Sequence, residues 1–224
     1  AGQPLIFVYS YELNGANGVG DIFLPAAGNK KVGEISGLGF PNGIATDKSR
    51  RLYVADSTSS GAQQILVYAP PYTGAPILTL DDTGNFVTDV AVSPQGVVAA
   101  VNACTAPSCP IGSSSVTFYA QNSQIPCATV AIPTVFAYTY FEAVDDNGTL
   151  YVTGVNGKTY PDQRAEIGEI KRGCNATRAT MLTTSNTIIV APAIHVNYAD
   201  QITLLGSPAL ATVDMYTYNP PNHG

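Results

Sequence analysis

The sequence of 224 residues has no tryptophan, two histidines and two methionines, and only 12% of it is charged. That is about half the usual charged share of a soluble domain. Lys and Arg number 10 against 16 Asp and Glu, a net charge of −6. The basic stripe that nucleic acid requires is lacking, and so is a polybasic grip on anionic lipid. No window approaches the roughly 18 consecutive apolar residues of a membrane helix. The most apolar stretch, TIIVAPAIHV from Thr187 to Val196, is too short and holds a proline and a histidine. No basic-then-apolar signal peptide is present. Ala1 reads as the start of a mature or trimmed chain, which leaves an excised signal open.

Catalytic signatures are missing too. There is no GxSxG, P-loop, GxGxxG or HExxH, and no catalytic residue is assigned. His223 sits in the terminal NPPNHG tail. The pairs Asp81-Asp82 and Asp145-Asp146 fall in turns, where neighbouring carboxylates point apart, so they read as solvated turn residues with Asx-type bonds rather than an acid–base pair. The run Asp145-Asp146-Asn147-Gly148 lacks the downstream Glu of a calcium loop, so it reads as a tight hairpin.

The four cysteines, Cys104, Cys109, Cys127 and Cys174, form no CxxC, CxxCH or Cys/His cluster. Zinc, haem and thioredoxin-type chemistry therefore lack local support. An even count favours disulfides. Of three possible pairings we prefer Cys104–Cys109, closing the stiff TAPS segment, with Cys127–Cys174; four buried thiols are the alternative. Two sequons, at Asn147 and Asn175, permit N-glycosylation. Scarce Lys with abundant Thr, Ser, Asn and Tyr completes a composition that reads as secreted or cell-surface.

What is present is repetition. GIATDKSRRLYVADS from Gly43, DVAVSPQGVVAAVNA from Asp89 and FEAVDDNGTLYVTGV from Phe141 share one plan: a short apolar strand, a polar turn, a second strand. Asp47, Ser93 and Asp145 are equivalent at the turn. A fourth copy starts at Ala193, with Asn197 at its turn. A third strand follows each pair (QILVYAP, SVTFYAQ, EIGEIKR, TVDMYTY), and a fourth strand follows in places. Sustained helical spacing is absent, while short period-2 or apolar runs bounded by Gly, Pro, Asn and Asp recur. A module of about 50 residues with four strands is the pattern of a β-propeller blade. The expectation is an all-β single domain over residues 1–224: a propeller of four-stranded antiparallel blades, with about five repeats at 1–40, 41–86, 87–136, 137–187 and 188–224. A β-sandwich is the weaker alternative.

The segments PNGIATD (Pro41 to Asp47), RLYVAD (Arg51 to Asp56) and ILVYAP (Ile65 to Pro70) resemble NHL-repeat propellers of secreted bacterial proteins. More distantly they are similar to SMP-30/gluconolactonase and streptogramin-lyase propellers. The resemblance covers most of the chain as architecture. It says little of activity, because the fold hosts lyases, lactonases and interaction modules alike.

The repeat is incomplete at both ends. PLIFVYSY, GDIFLPA and KKVGEISG look like the second, third and fourth strands of a blade that has no first strand, and the last repeat stops after its third. Five blades, two of them one strand short, fit this pattern. So does a four-bladed ring in which AIHVN supplies the missing inner strand. Open strand edges recruit partners, so the expected assembly residues are Leu5, Phe7, Tyr9, Tyr11, Val213, Met215, Tyr216 and Tyr218. A fragment of a longer propeller fits equally.

Two departures from the repeat mark a candidate axial polar site. Glu142 takes a place held elsewhere by Ile44, Val90 and Ile194, and His195 a place held by Ala45, Ala91 and Ala143. Inner strands are crowded, so both groups need partners there. The SMP-30 resemblance implies a divalent ion such as calcium on carboxylates and amides near the axis. Glu142, Asp89 and Asn42 match loosely by position, though the family's motifs around them are not reproduced. The expected function is an extracellular, non-catalytic interaction or structural propeller without cofactor, self-associating into an oligomer or filament or binding another protein or glycan. The alternatives are a metal-dependent lyase or lactonase and a carbohydrate-binding module using Tyr138, Tyr140 and Phe141.

Overall fold

In the computed structural model the described residues are 4–11, 18–57, 62–133, 136–158, 164–182, 193–196, 201–206 and 214–218. They form five antiparallel sheets in chain order. The first holds β1 (Ile6–Tyr11), β2 (Gly18–Leu24) and β3 (Lys30–Leu38). The second holds β4 (Phe40–Thr46), β5 (Leu52–Ser57), β6 (Gln63–Tyr68) and β7 (Leu78–Asp81). The third holds β8 (Asn85–Val92), β9 (Val98–Thr105), β10 (Ser115–Tyr119) and β11 (Pro126–Ala131). The fourth holds β12 (Phe136–Val144), β13 (Leu150–Asn156), β14 (Ala165–Ile170) and β15 (Thr180–Leu182). The fifth holds β16 (Ala193–Val196), β17 (Ile202–Gly206) and β18 (Asp214–Tyr218).

This is the propeller arrangement, and of the two geometries expected it is the five-sheet one. β16 pairs with β17, not with β1, so AIHV opens its own sheet and the four-bladed alternative is set aside. The sheets do not close into a ring: among the described residues no strand of the fifth is hydrogen-bonded to the first.

The turn predicted between the first two strands of a blade recurs with the same bonds. The Asp47 N–H donates to the Arg51 carbonyl at 3.1 Å, and the Arg51 N–H donates back to Asp47 Oδ1 at 2.8 Å. Ser93 and Val97 repeat this at 2.8 and 3.1 Å, Asp145 and Thr149 at 3.0 and 2.7 Å. A short side-chain acceptor at this position satisfies the N–H that a tight hairpin would orphan. Asn197, the fourth equivalent, lies outside the described residues.

Consecutive sheets stack face to face, giving four apolar cores in sequence. Ile22, Ile35 and Leu38 meet Leu52, Val54 and Tyr68 between the first two sheets. Ile65, Val67 and Leu80 meet Val87, Val98 and Tyr119 next. Val116, Phe118 and Val130 then meet Phe136, Leu150 and Ile170. Tyr151 and Ile167 finally meet Ile202 and Leu204. A strand in the middle of such a stack is covered on both faces. Accordingly β5 and β13 are buried at every residue, and β9 at all but its last. Their nearly unbroken apolar runs follow from that position, at about 1.5–3 kcal/mol for each large aliphatic side chain enclosed. The outermost strand β11 is mostly exposed.

The inner strands β4, β8, β12 and β16 lie side by side around the would-be axis. Their approach requires glycine at one point. A Cβ on Gly43 would overlap Asp89 Oδ1 and come within 2.6 Å of its Cα.

Candidate functional site

The inner strands bring Asn42 (β4), Asp89 (β8) and Glu142 (β12) onto neighbouring rungs. The Glu142 N–H donates to Asp89 Oδ2 at 3.2 Å, and the Val90 N–H donates to Asp89 Oδ1 at 2.9 Å. The Asn42 amide donates to the Val87 carbonyl at 2.9 Å and to Ser57 Oγ at 3.4 Å, which ties β4 to β8. Glu142 is buried, and neither of its carboxylate oxygens has a hydrogen-bond partner of normal geometry.

The electrostatics follow from that enclosure. Burial pushes Asp89 up to about 7, against the two backbone N–H groups that favour its charged form. Burial, then the negative charge of Asp89, holds Glu142 well above the usual carboxylate range, against the Ala91 N–H. Two adjacent carboxyl groups in a dry setting share protons rather than ionise together.

A divalent ion tests against this geometry as follows. Among the described residues no three His, Cys, Asp or Glu side chains converge. The donor set is two carboxylates with one carboxamide whose nitrogen is already engaged. The orphaned Glu142 oxygens are the one feature a cation would satisfy, and oxygen donors of this kind suit a hard ion such as calcium, which takes about six to eight of them.

His195 is not part of this cluster. It lies exposed on β16, where Ile194 and Val196 turn toward the fourth sheet and His195 turns away. The expected Glu142–His195 axial pair is thus not assembled, because alternation along β16 places the imidazole on the uncovered face.

The first strand shows the same effect of alternation. Leu5 and Phe7 pack on the second sheet, Phe7 edge-on to Tyr72 at 5.0 Å, and the Tyr9 hydroxyl donates to the Asn42 carbonyl. The uncovered face of β1 instead presents Ile6 and Val8, 45% and 48% exposed. On the fifth sheet Leu205 and Met215 are exposed, Met215 at 72%. Tyr11 closes β1, and Tyr216 and Tyr218 lie in β18. Val213 and His223 lie outside the described residues.

Tyr138, Tyr140 and Phe141 form a tilted row with centroids 6.5 and 6.4 Å apart, and Phe141 is exposed. Both preferred disulfides are formed, and no described cysteine is free. Cys127 sits on β11 and Cys174 in the loop after β14, so the second bridge joins the third and fourth sheets. The sequon residues Asn147 and Asn175 are exposed. Asp81 is the solvated turn residue expected and accepts from the Thr83 N–H at 3.0 Å, whereas Asp82 and Asp145 are buried, because the adjoining sheet covers them.

Sequence reasoning passed over Asp56 and Asn102, and it placed Asp82 in a turn without foreseeing its burial. Asp56 Oδ1 accepts the Gly39 N–H at 2.9 Å, and burial raises its carboxyl. Asp82 accepts from Asn85 at 2.9 Å and from the Tyr119 hydroxyl at 3.3 Å, and burial pushes it up to about 6. Asn102 donates to Thr117 at 3.1 Å. A polar residue inside an otherwise apolar strand run was the available signal for Asp56 and Asn102.

No protein-family model matches the chain, and no curated protein matches it in sequence. Solved structures do match in shape. A structure described as the Dos1 propeller superposes with a TM-score of 0.62 at 9% identity, covering 89% of this chain and 47% of that one. A functionally unknown protein from Desulfotomaculum acetoxidans DSM 771 gives 0.63 at 13% identity, covering 95% and 66%. The chain therefore spans about half the length of the one and 66% of the other. At this identity the likeness concerns fold alone, and that fold is the β-propeller.

Proposed function

We propose that this chain is a non-catalytic propeller module that works outside the cell by protein contact and joins copies of itself through the uncovered faces of its first and last sheets. The observation that carries the reading is the pair of uncovered sheet faces at opposite ends of the described stack, each with exposed aliphatic side chains. Ile6, Val8 and Val32 stand on the first sheet, Leu205 and Met215 on the fifth. Aliphatic groups gathered on an uncovered sheet face mark contact surfaces. In a head-to-tail contact the first face of one copy meets the last face of the next, which builds a ring or a filament. Two disulfides and no free described cysteine support an oxidising setting. Light scattering after size exclusion tests the reading on residues 1–224. Concentration-dependent oligomers support it, and a monomer at high concentration ends it.

The second reading is a metal-dependent enzyme of the lyase or lactonase type, favoured by the partnerless buried oxygens of Glu142 beside Asp89. A bound divalent ion would supply Lewis-acid polarisation of a carbonyl or leaving group. Glu142, Asp89 and the Asn42 carboxamide would hold it. Elemental analysis of the purified chain, repeated on Glu142→Gln, separates the readings: stoichiometric metal lost in the variant favours the enzyme, metal-free protein the module.

A further inference from the structure

A hollow lies away from the axis, where the hairpin turns of the third and fourth sheets meet the loop after β14. It is an open cleft of about 200 Å³ with an apolar floor that includes Val97, Phe118, Val144 and Leu150. Gln95 and Asn147 stand on its rim, and Gln95 spans the two turns by donating to the Asp146 carbonyl at 3.5 Å. Beside it is a polar hollow of about 390 Å³ bordered by Lys171, Arg172 and Arg178. Arg172 borders both.

Three features single out this junction. First, three of the ten Lys and Arg residues of a chain with net charge −6 fall within eight positions, Lys171 to Arg178. Lys171 is paired with Glu169 at 3.3 Å, and Glu169 also borders the hollow. The Arg172 and Arg178 side chains have no ion pair or hydrogen bond among the described residues, although an acidic chain offers carboxylates in excess. Second, the loop is held in place. The Cys127–Cys174 bridge fastens it to β11, and Gly173 rests so close to Val97 that a Cβ there would lie 3.3 Å from its methyl carbon. Third, Arg172 takes a left-handed backbone conformation, φ 78°, which non-glycine residues seldom adopt and which tertiary structure must enforce.

We propose that this junction binds a small amphiphilic carboxylate, its apolar end in the cleft and its carboxylate on Arg172 with support from Arg178. The guanidinium fork matches a carboxylate in plane and charge. A single negative charge suits a chain that is itself acidic, since a dianion would meet more repulsion from Glu169 and the overall field. The apolar floor accepts a group of phenyl or short-alkyl size and excludes water around the ion pair, which strengthens it. This site is independent of the two uncovered sheet faces and of the axial carboxylates.

Titration with hydrocinnamate, followed by amide chemical shifts on protein made without glycans, tests the proposal. The comparison ligands are hydrocinnamide, which lacks the charge, and propionate, which lacks the ring. Saturable shifts at Gly148 and Gly173, with each comparison ligand weaker by about tenfold or more, support it. Arg172→Gln lies on the surface, leaves the core alone, and should weaken hydrocinnamate by a similar factor of about ten. Val144→Phe should fill the cleft and abolish binding while leaving the arginines in place. Absence of saturable shifts at millimolar ligand, equal binding of the amide, or unchanged affinity in a folded Arg172→Gln chain would each overturn it.

Discussion

The Glu142 backbone N–H donates to Asp89 Oδ2 at 3.2 Å, and by that bond two carboxyl groups are held on adjacent inner strands of a stacked-sheet fold. Both have folded-state affinities for protons above their unfolded ones, mainly through burial. Each therefore contributes stability that is complete below the unfolded value and is lost as pH rises through the folded value. For Asp89 that window runs from about 4 to about 7. Asp47 has the opposite sign, since the Arg51 N–H and guanidinium hold it low against the burial that would raise it, and its contribution fades in acid. The thermal midpoint should peak on the acid side of neutrality and fall toward pH 8. Glu142→Gln should flatten that fall. Saturating calcium should reverse it only if the pair takes up the metal.

Glu142 is legible in the sequence as an enclosed group and His195 is not, for a reason that lies in the sheets. Both break the repeat at inner-strand positions, where the pattern predicts enclosure. Glu142 lies between two covered sheets. His195 belongs to the fifth sheet, whose outward face is uncovered among the described residues. The same one-residue alternation turns Leu5, Phe7 and Tyr9 inward and leaves Ile6 and Val8 in the open. The turns are readable because Asp47, Ser93 and Asp145 act locally, through bonds four residues along. The Arg172 junction is not, because it is assembled from three loops far apart in sequence.

The two disulfides should differ in what they contribute. Cys127–Cys174 spans 47 residues and Cys104–Cys109 spans five. Loop-closure entropy in the unfolded chain gives about 4 kcal/mol for the first and about 2 kcal/mol for the second. Denaturant unfolding of the two double Cys→Ser variants should rank them in that order. Equal losses would mean that the long bridge contributes little beyond local closure.

At Gly43 the backbone of β4 lies directly against Asp89 of β8. Gly43→Ala should destabilise the fold by about 1–3 kcal/mol, the usual range for overpacking a well-filled interior. The clash is with the Asp89 backbone and carboxylate, so Asp89→Gly should recover part of the loss, and Asp89→Asn should not. Coupling of this kind in a double-mutant cycle would place the contact where the two strands meet.

The Tyr119 hydroxyl donates to the Asp81 carbonyl at 2.8 Å and to Asp82 Oδ1 at 3.3 Å, joining the second and third sheets inside their shared core. Removing it takes this donor from the Asp81 carbonyl and leaves Asp82 Oδ1 with the Asn85 amide alone. Tyr119→Phe should lower stability by about 1–3 kcal/mol in chemical denaturation. Because the hydroxyl also favours the charged form of Asp82, the variant should raise that carboxyl further above its value of about 6.

Association through the two uncovered faces makes a prediction about charge placement. Val8→Lys alone or Met215→Glu alone should each weaken self-association, since a charge is desolvated against an aliphatic surface. In a head-to-tail contact the first face of one copy meets the last face of the next. The double variant then brings the introduced lysine of one copy against the introduced glutamate of its neighbour, and should recover association in part. In a symmetric contact each face meets its own kind, lysine faces lysine, and the double variant should associate no better than the singles. Sedimentation velocity on the three variants, at low and high salt, distinguishes the two geometries, because only the complementary pairing weakens as salt screens it.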